Sequence, residues 1–278
     1  MVRANPRLGQ NVKPAMKWLS SLFQTKRRRR EALMAEPFPE HWRDHLERHV
    51  ALYPYLPKDD RERLERFVQI FLAEKNLEGC GGLRLTDEIR LAVAGHACLL
   101  LLHLGHDFFP LLQSVLVYPE TFLAPDEQEG PDGVVAADPD PREGESWDRG
   151  AVVLSWESVL APPEEWGPSN VILHEFAHQL DWESGDMDGV PPLPDADLHD
   201  EWSRVCRREF ERLEQAAEIG AETLMDPYGA TDPAEFFAVA TETFFMAPAA
   251  FREVYPALYK LLQRYYRQDP AALVQPRR

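Results

Sequence analysis

The stretch that decides the fold reads VILHEFAHQLD and occupies residues 171–181. On a helix, His174 and His178 lie about one turn above each other, so both imidazoles can reach one metal ion. Glu175 is rotated by about 100° from His174, which places it beside such a metal rather than among its ligands. There its carboxylate can take a proton from a water at the metal. The pattern therefore predicts a metal-binding helix that carries its own base.

A helical projection separates two faces of this segment. Three apolar residues fall within about 60° of Leu173 and form a stripe with it for the core: Phe176, Ala177 and Leu180. The two histidines lie on the flank of that stripe, and Asn170 or Ser169 can cap the start of the helix. The spacing His-Glu-x-x-His on a helix is the one that zinc-dependent peptidases use. The alternative is a surface helix with two stacked histidines that bind nothing.

A third metal ligand is expected further along the chain, because a catalytic zinc takes three protein ligands and keeps one position open. Cys206 and His199 are candidates, and Glu235 is the strongest. Glu235 also follows Asp232 by three residues at the start of a predicted helix, so the two can form a capping box that turns the glutamate back onto the helix end. Spacing alone leaves both interpretations open. Glu242, seven residues further along the same face, either supports the site from behind or is a solvated charge.

Several segments together resemble the Mlc titration factor A family of zinc peptidases, a gluzincin-like group. They are residues 171–181, 233–239, 146–156, 115–119 and 265–270. The resemblance runs from about residue 36 to residue 273, nearly the whole chain, and the combined motifs are specific.

The resemblance implies a role for each site residue. His174, His178 and Glu235 hold one Zn²⁺ per chain. Glu175 is the general base, and Tyr228 assists in catalysis. The implied activity is hydrolysis of short peptides, aminopeptidase-like. The alternative is a protein-binding regulator that sequesters a transcriptional repressor of sugar uptake, with peptidase activity secondary; the two functions are compatible on one chain.

Two further hypotheses concern the surroundings of the site. Asp181 lies on the histidine side of the helix, where it either accepts a hydrogen bond from an imidazole or another nearby side chain, or merely ends the helix. Residues 151–156 are β-prone, and we expect Val152, Val153 and Leu154 to form an edge strand that aligns an extended peptide by main-chain hydrogen bonds. An internal strand without a substrate role is the alternative.

Composition and charge indicate the compartment of the protein and the kinds of partner that it does not bind. The 278 residues suffice for a sizeable core, and three widely spaced cysteines suggest reduced thiols and a cytoplasmic protein. No apolar run reaches membrane-spanning length. Residues 1–30 carry nine Lys or Arg and no acid, whereas the rest of the chain carries 21 basic and 47 acidic residues. This acidic bulk argues against specific nucleic-acid binding by the folded part.

The charge distribution also suggests how the chain is divided. We expect a basic, disordered tail over residues 1–35, a single domain over residues 36–273 and a short tail over residues 274–278. Met16 is an alternative to Met1 as the start of the natural chain.

Periodicity predicts an α+β fold that is mostly helical. This fits the zincin-like core that the family resemblance implies. A small β-sheet should lie beside the metal-binding helix, and N- and C-terminal helices should wrap around both. Helices are expected near residues 38–52, 58–75, 86–104, 107–113, 170–183, 197–218, 233–245 and 250–267. Short strands are expected near residues 114–118, 133–136 and 151–156. The stretch 120–150 is rich in Pro, Gly and acidic residues, which favours a long loop or flap near the site.

Overall fold

The computed structural model describes residues 14–105, 107–120, 122–123, 141–142, 144–147, 150–160 and 169–274. For residues 14–24 and 122–147 the description is limited to the backbone. The α-helices are α1 (Pro14–Ala35), α2 (Glu40–His49), α3 (Lys58–Glu74), α4 (Asp87–Leu101), α5 (Trp156–Leu160), α6 (Val171–Trp182), α7 (Ala196–Glu218), α8 (Pro233–Met246), α9 (Pro248–Val254), α10 (Pro256–Tyr266) and α11 (Pro270–Leu273).

In the described residues, the strands form one small sheet and one short ribbon. They are β1 (Asn76–Gly79), β2 (Ser114–Tyr118), β3 (Phe122–Leu123), β4 (Pro141–Arg142), β5 (Gly144–Trp147) and β6 (Ala151–Ser155). The sheet has the order β1-β2-β6-β5, with the first three strands parallel and β5 antiparallel to β6. The ribbon pairs β3 with β4. The described part of the protein is therefore mostly helical with a small sheet, as predicted; the sheet is largely parallel.

Helix α6 lies at the centre of this arrangement. It contacts α4, α8 and the strands β5 and β6. Its start is set by Asn170, whose Oδ1 accepts the Leu173 N–H at 3.0 Å, so the predicted cap is confirmed. On its apolar side, the ring of Phe176 packs against Phe71 and Phe109, with ring centroids 5.8 and 4.9 Å apart. The helix is thus held by a rigid aromatic core while its other flank faces α8.

The prediction of an edge strand at residues 152–154 is wrong. Val152, Val153 and Leu154 lie in β6, which pairs with β2 on one side and with β5 on the other. Their main-chain groups therefore face paired strands on both sides, and all three side chains are buried. The segment Gly144–Trp147 did not resemble a strand in the sequence because Gly and, to a lesser degree, Glu are depleted in strands.

Two helix predictions also differ from the structure. No helix spans residues 107–113, because the consecutive residues Phe108 and Phe109 have φ values of 57° and 50°. Left-handed backbone at two successive positions ends a right-handed helix. The predicted helix over residues 250–267 is divided into α9 and α10 at Pro256, because a proline disfavours helical backbone at the preceding residue.

The basic segment is more ordered than expected. Residues 14–35 form α1, whereas we expected a disordered tail up to residue 35. The guanidinium of Arg30 donates to both carboxylate oxygens of Glu74 at 2.7 and 2.6 Å, and to Asp107 at 2.5 Å. It also lies 4.6 Å from the centre of the Phe108 ring. Part of the basic charge therefore docks α1 on α3.

Some predictions fall outside the described residues, namely the strand at 133–136, most of the expected flap at 120–150 and the last residues of the C-terminal tail. Within the described part of the chain, no helix is long and apolar enough to cross a membrane.

Candidate metal centre

Three side chains from two helices converge on one point. The Nε2 atoms of His174 and His178 are 3.1 Å apart. The Oε2 atom of Glu235, on α8, lies 2.9 Å from His174 Nε2 and 3.5 Å from His178 Nε2. Of the described residues, these three form the one group of His, Cys, Asp or Glu side chains close enough together to share an ion.

The size of this triangle fits a zinc ion. With zinc–ligand bonds of 2.0–2.1 Å and tetrahedral angles, ligand atoms are separated by about 3.3 Å. The three observed separations, 2.9, 3.1 and 3.5 Å, lie on either side of that value. Two imidazoles and a carboxylate are also a donor set that zinc accepts. The residues present therefore fit the ion without rearrangement of the helices.

The local sequence of α8 explains how Glu235 reaches the histidines. Asp232 is the N-cap, and its Oδ1 accepts the N–H groups of Ala234 at 2.8 Å and of Glu235 at 3.0 Å. Pro233 occupies the first helical position, where its missing N–H costs nothing. The expected capping role of Asp232 is thus present, but the Glu235 carboxylate turns to His174 rather than back to the helix end.

Glu242 supports the site from behind. Its Oε1 atom accepts a hydrogen bond from His174 Nδ1 at 2.7 Å, and its Oε2 atom accepts the backbone N–H of Asn170 at 2.5 Å. Glu242 is buried, so it is not the solvated charge that the sequence left as an alternative. A carboxylate on Nδ1 leaves the Nε2 lone pair of the imidazole for a metal and makes that nitrogen more basic.

The electrostatics of the group favour a cation. Burial lowers the pKa of His174, but Glu235 and Glu242 outweigh burial and raise that pKa well above its usual value. Burial likewise raises the pKa of Glu235, but its hydrogen bonds to His174 and His178 lower the pKa to about 2. Two carboxylates, Glu235 and Glu242, thus face a buried imidazole. A proton on His174 occupies the position that a metal would take.

The remaining candidate catalytic groups lie beside this point. Glu175 is 3% exposed on α6, and its charge contributes to the raised pKa of His174. Tyr228 lies on a 3₁₀ turn, Pro227–Ala230, which Asp226 caps. The Tyr228 ring is 6.2 Å from the His174 ring, centroid to centroid, and 55% of the residue is exposed. A large part of the tyrosine is therefore accessible to solvent beside His174.

Asp181 has a different partner from those we predicted. Its Oδ2 atom accepts the backbone N–H of Gly189 at 2.8 Å. Gly189 has φ +77°, and a β-carbon there would lie 2.2 Å from the carbonyl oxygen of Pro233. Trp202 Nε1 donates to the Gly189 carbonyl at 2.8 Å. Asp181 therefore fixes a loop that touches the start of α8, two residues before Glu235.

The other candidates for the third ligand do not join the group. His199 is exposed on α7. Burial raises the pKa of the Cys206 thiol to about 12, which disfavours the thiolate that zinc would need. Sequence reasoning missed one participant, His96 on α4, whose Nε2 atom lies 3.1 Å from Asn170 Nδ2. A single histidine in an apolar helix gave no sequence signal for this contact.

A buried helix with the spacing His-Glu-x-x-His that faces a glutamate on a second helix is the layout of a metallopeptidase site. The chain belongs to the glucose-regulated metallo-peptidase M90 family, whose profile matches residues 23–267.

Several proteins are similar over most of their length. An uncharacterized protein of Synechocystis sp. is 41% identical over 245 residues, which cover 87% of this chain and 89% of that protein. Mlc titration factor A of Pectobacterium atrosepticum is 35% identical, with 84% of this chain and 88% of that protein covered. Mlc titration factor A of Serratia proteamaculans is 34% identical, with coverages of 84% and 89%.

Proposed function

We propose that this protein is a zinc-dependent peptidase, aminopeptidase-like on short peptides. One observation carries the proposal: Nε2 of His174, Nε2 of His178 and Oε2 of Glu235 meet in a triangle of zinc-site dimensions. Membership of a metallo-peptidase family supports it. The small sheet beside α6 supports a zincin-like core, and three free cysteines support a cytoplasmic setting.

His174, His178 and Glu235 would hold the ion. A bound zinc would polarise the substrate carbonyl and lower the pKa of the attacking water. Glu175 accepts the proton of that water and afterwards returns it to the leaving amine, because its carboxylate lies next to His174 on the same helix. The Tyr228 hydroxyl, on the accessible side, donates a hydrogen bond to the carbonyl oxygen as negative charge develops there.

The substrate main chain would pair with β5 instead of β6. Of the described strands, β5 is the outer one on the side of the sheet that contacts α6. An unpaired strand edge can bind an extended peptide through main-chain hydrogen bonds. Neighbouring residues of a strand point their N–H groups to opposite sides. Of the two variants Glu145→Pro and Ser146→Pro, the one that removes the N–H facing away from β6 should therefore raise KM. The other should leave KM unchanged.

The variant Glu175→Gln tests the role of the base. It keeps the shape of the side chain but cannot accept the proton, so kcat/KM on a peptide panel should fall by at least about 100-fold while zinc content stays unchanged. The control is Glu218→Gln, an exposed glutamate at the end of α7, which should behave like the parent protein. Full activity in Glu175→Gln would overturn this assignment. In Tyr228→Phe, we expect kcat to fall by about 100-fold with little change in KM.

We also propose a protein-binding role, because two of the similar proteins are named Mlc titration factor A. The partner would be a transcriptional repressor of sugar uptake, and binding would not need hydrolysis. In a titration against such a repressor, Glu175→Gln should bind with the same Kd as the parent protein. A lost interaction in this variant would tie binding to catalysis and contradict the proposal of two separable functions.

A further inference from the structure

Behind His174, a row of hydrogen bonds connects three elements. His174 Nδ1 donates to Glu242 Oε1 at 2.7 Å, and Glu242 Oε2 accepts the backbone N–H of Asn170 at 2.5 Å. The side-chain Nδ2 of Asn170 lies 3.1 Å from Nε2 of His96. Nδ1 of His96 lies 2.9 Å from the carbonyl oxygen of Ala92. The row therefore runs from α4 through the start of α6 to α8 and back to the metal centre.

The direction of each bond in this row is determined. The Ala92 carbonyl can only accept, so the proton of His96 is on Nδ1 and its Nε2 is an acceptor. Asn170 must then donate with Nδ2, which leaves its Oδ1 to accept the Leu173 N–H at 3.0 Å. That same bond is the N-cap of α6. The amide of Asn170 thus has one orientation that satisfies both neighbours.

His96 is suited to this position because it is neutral. It is 3% exposed, and burial lowers its pKa to about 4. A buried imidazole is costly unless both ring nitrogens are hydrogen-bonded, and here Ala92 and Asn170 satisfy them. The neighbouring positions of α4, from Leu91 to Leu101, are filled by other buried residues, all of them apolar. A polar residue among them therefore requires a reason other than core packing.

We infer that His96 and Asn170 are positioning residues for the metal centre, which hold Glu242, and through it His174, in the orientation needed to bind the ion. The inference rests on the proposed zinc site. Asn170 is anchored by its side chain on both sides, so its backbone N–H stays on Glu242 Oε2. If that N–H moved away, a buried carboxylate oxygen would lose its donor and Glu242 could rotate away from His174.

Four variants separate this role from general stability. His96→Leu removes the acceptor for Asn170, and Asn170→Ser keeps an N-cap but is too short to reach His96. His96→Gln keeps an acceptor oxygen and is the rescue variant. Asp195→Ala is the matched control, because it removes the side-chain cap of another helix, α7, where Asp195 accepts the Leu198 N–H at 2.8 Å.

The readout is the zinc Kd, measured by competition with a chromogenic chelator on folded protein. His96→Leu and Asn170→Ser should each raise the Kd about tenfold, as loss of outer partners of a ligating histidine does. His96→Gln and Asp195→Ala should stay within about twofold of the parent protein. If His96→Leu does not fold, the zinc Kd of Asn170→Ser tests the inference.

A Kd equal to that of the parent in the folded variants, or an equal rise in Asp195→Ala, would overturn the inference. If the parent protein binds zinc and His174→Ala does not, the proposed function stands in either case. If the parent itself binds no zinc, the proposed function and this inference fall together.

Discussion

Glu242 Oε1 accepts a hydrogen bond from His174 Nδ1 at 2.7 Å, and this contact determines which nitrogen of the imidazole faces Glu235 and His178. The pair joins α6 and α8, the two helices that carry the candidate ligands. The orientation of His174 is thus fixed from the helix that supplies the third ligand.

Glu242→Gln should weaken zinc binding without unfolding the protein. The amide oxygen can still accept from His174, but the amide nitrogen then faces the Asn170 N–H, so two donors meet. We expect the zinc Kd to rise about 10- to 100-fold, measured by chelator competition. An unchanged Kd would show that the Glu242 carboxylate does not support the ion.

Zinc binding should release a proton and depend on pH. In the metal-free protein the pKa of His174 is raised, so His174 carries a proton over a wide pH range that zinc must displace. Below that raised pKa, the apparent zinc affinity should fall by about tenfold for each unit that the pH is lowered. Calorimetry in buffers of different ionisation enthalpy measures the proton count, and a count of zero near pH 7 would contradict this picture.

Asp181→Asn should change how stability depends on pH. Burial raises the pKa of Asp181 to about 6, from a usual value of 3.8. A raised pKa means that the folded state binds the proton more tightly. This contribution to stability is fully present below pH 3.8 and is lost as the pH rises through about 6. Asparagine does not titrate. Between acidic and neutral pH, the free energy of unfolding of the variant should therefore rise by up to about 3 kcal/mol relative to that of the parent.

Urea unfolding of both proteins at several pH values measures this difference, because other titrating groups cancel in the comparison. A difference in the free energy of unfolding that does not vary with pH would show that folding does not raise the pKa of Asp181.

Gly189→Ala should disturb both stability and the metal centre. The residue has φ +77°, and the added β-carbon would lie 2.2 Å from the Pro233 carbonyl oxygen, so α8 must shift. The matched control is Gly185→Ala, where φ is +107° but no atom lies within 4 Å. Both variants bear a backbone strain of about 1–3 kcal/mol. Only Gly189→Ala should also raise the zinc Kd; an equal effect of Gly185→Ala would refute the proposed link between the loop and Glu235.

The metal helix could be predicted from the sequence because its information is local. The spacing of His174 and His178, the cap at Asn170 and the apolar stripe all lie within a few turns of one helix. Glu235 could not be decided from spacing, since a capping box and a metal ligand require the same residue type at the same position. In the structure Asp232 caps the helix with its own side chain, and the Glu235 carboxylate turns to His174 instead of completing a capping box.

The parts that were mispredicted depend on contacts between distant segments. The interior position of β6 follows from its pairing with β5, whose sequence gives no strand signal. The order of α1 depends on Arg30 meeting Glu74 and Asp107, and a run of arginines in the sequence indicates only a solvated charge. The contact between His96 and Asn170 likewise joins two helices that are far apart in the chain.

Metal analysis of the purified protein tests the central claim most directly. The parent protein should hold about one zinc per chain, and His174→Ala and Glu235→Ala should both lose it, since each removes one of three ligands. His199→Ala, which removes an exposed histidine outside the group, should keep the ion. Full zinc content in Glu235→Ala, or none in the parent protein, would contradict the His174–His178–Glu235 site.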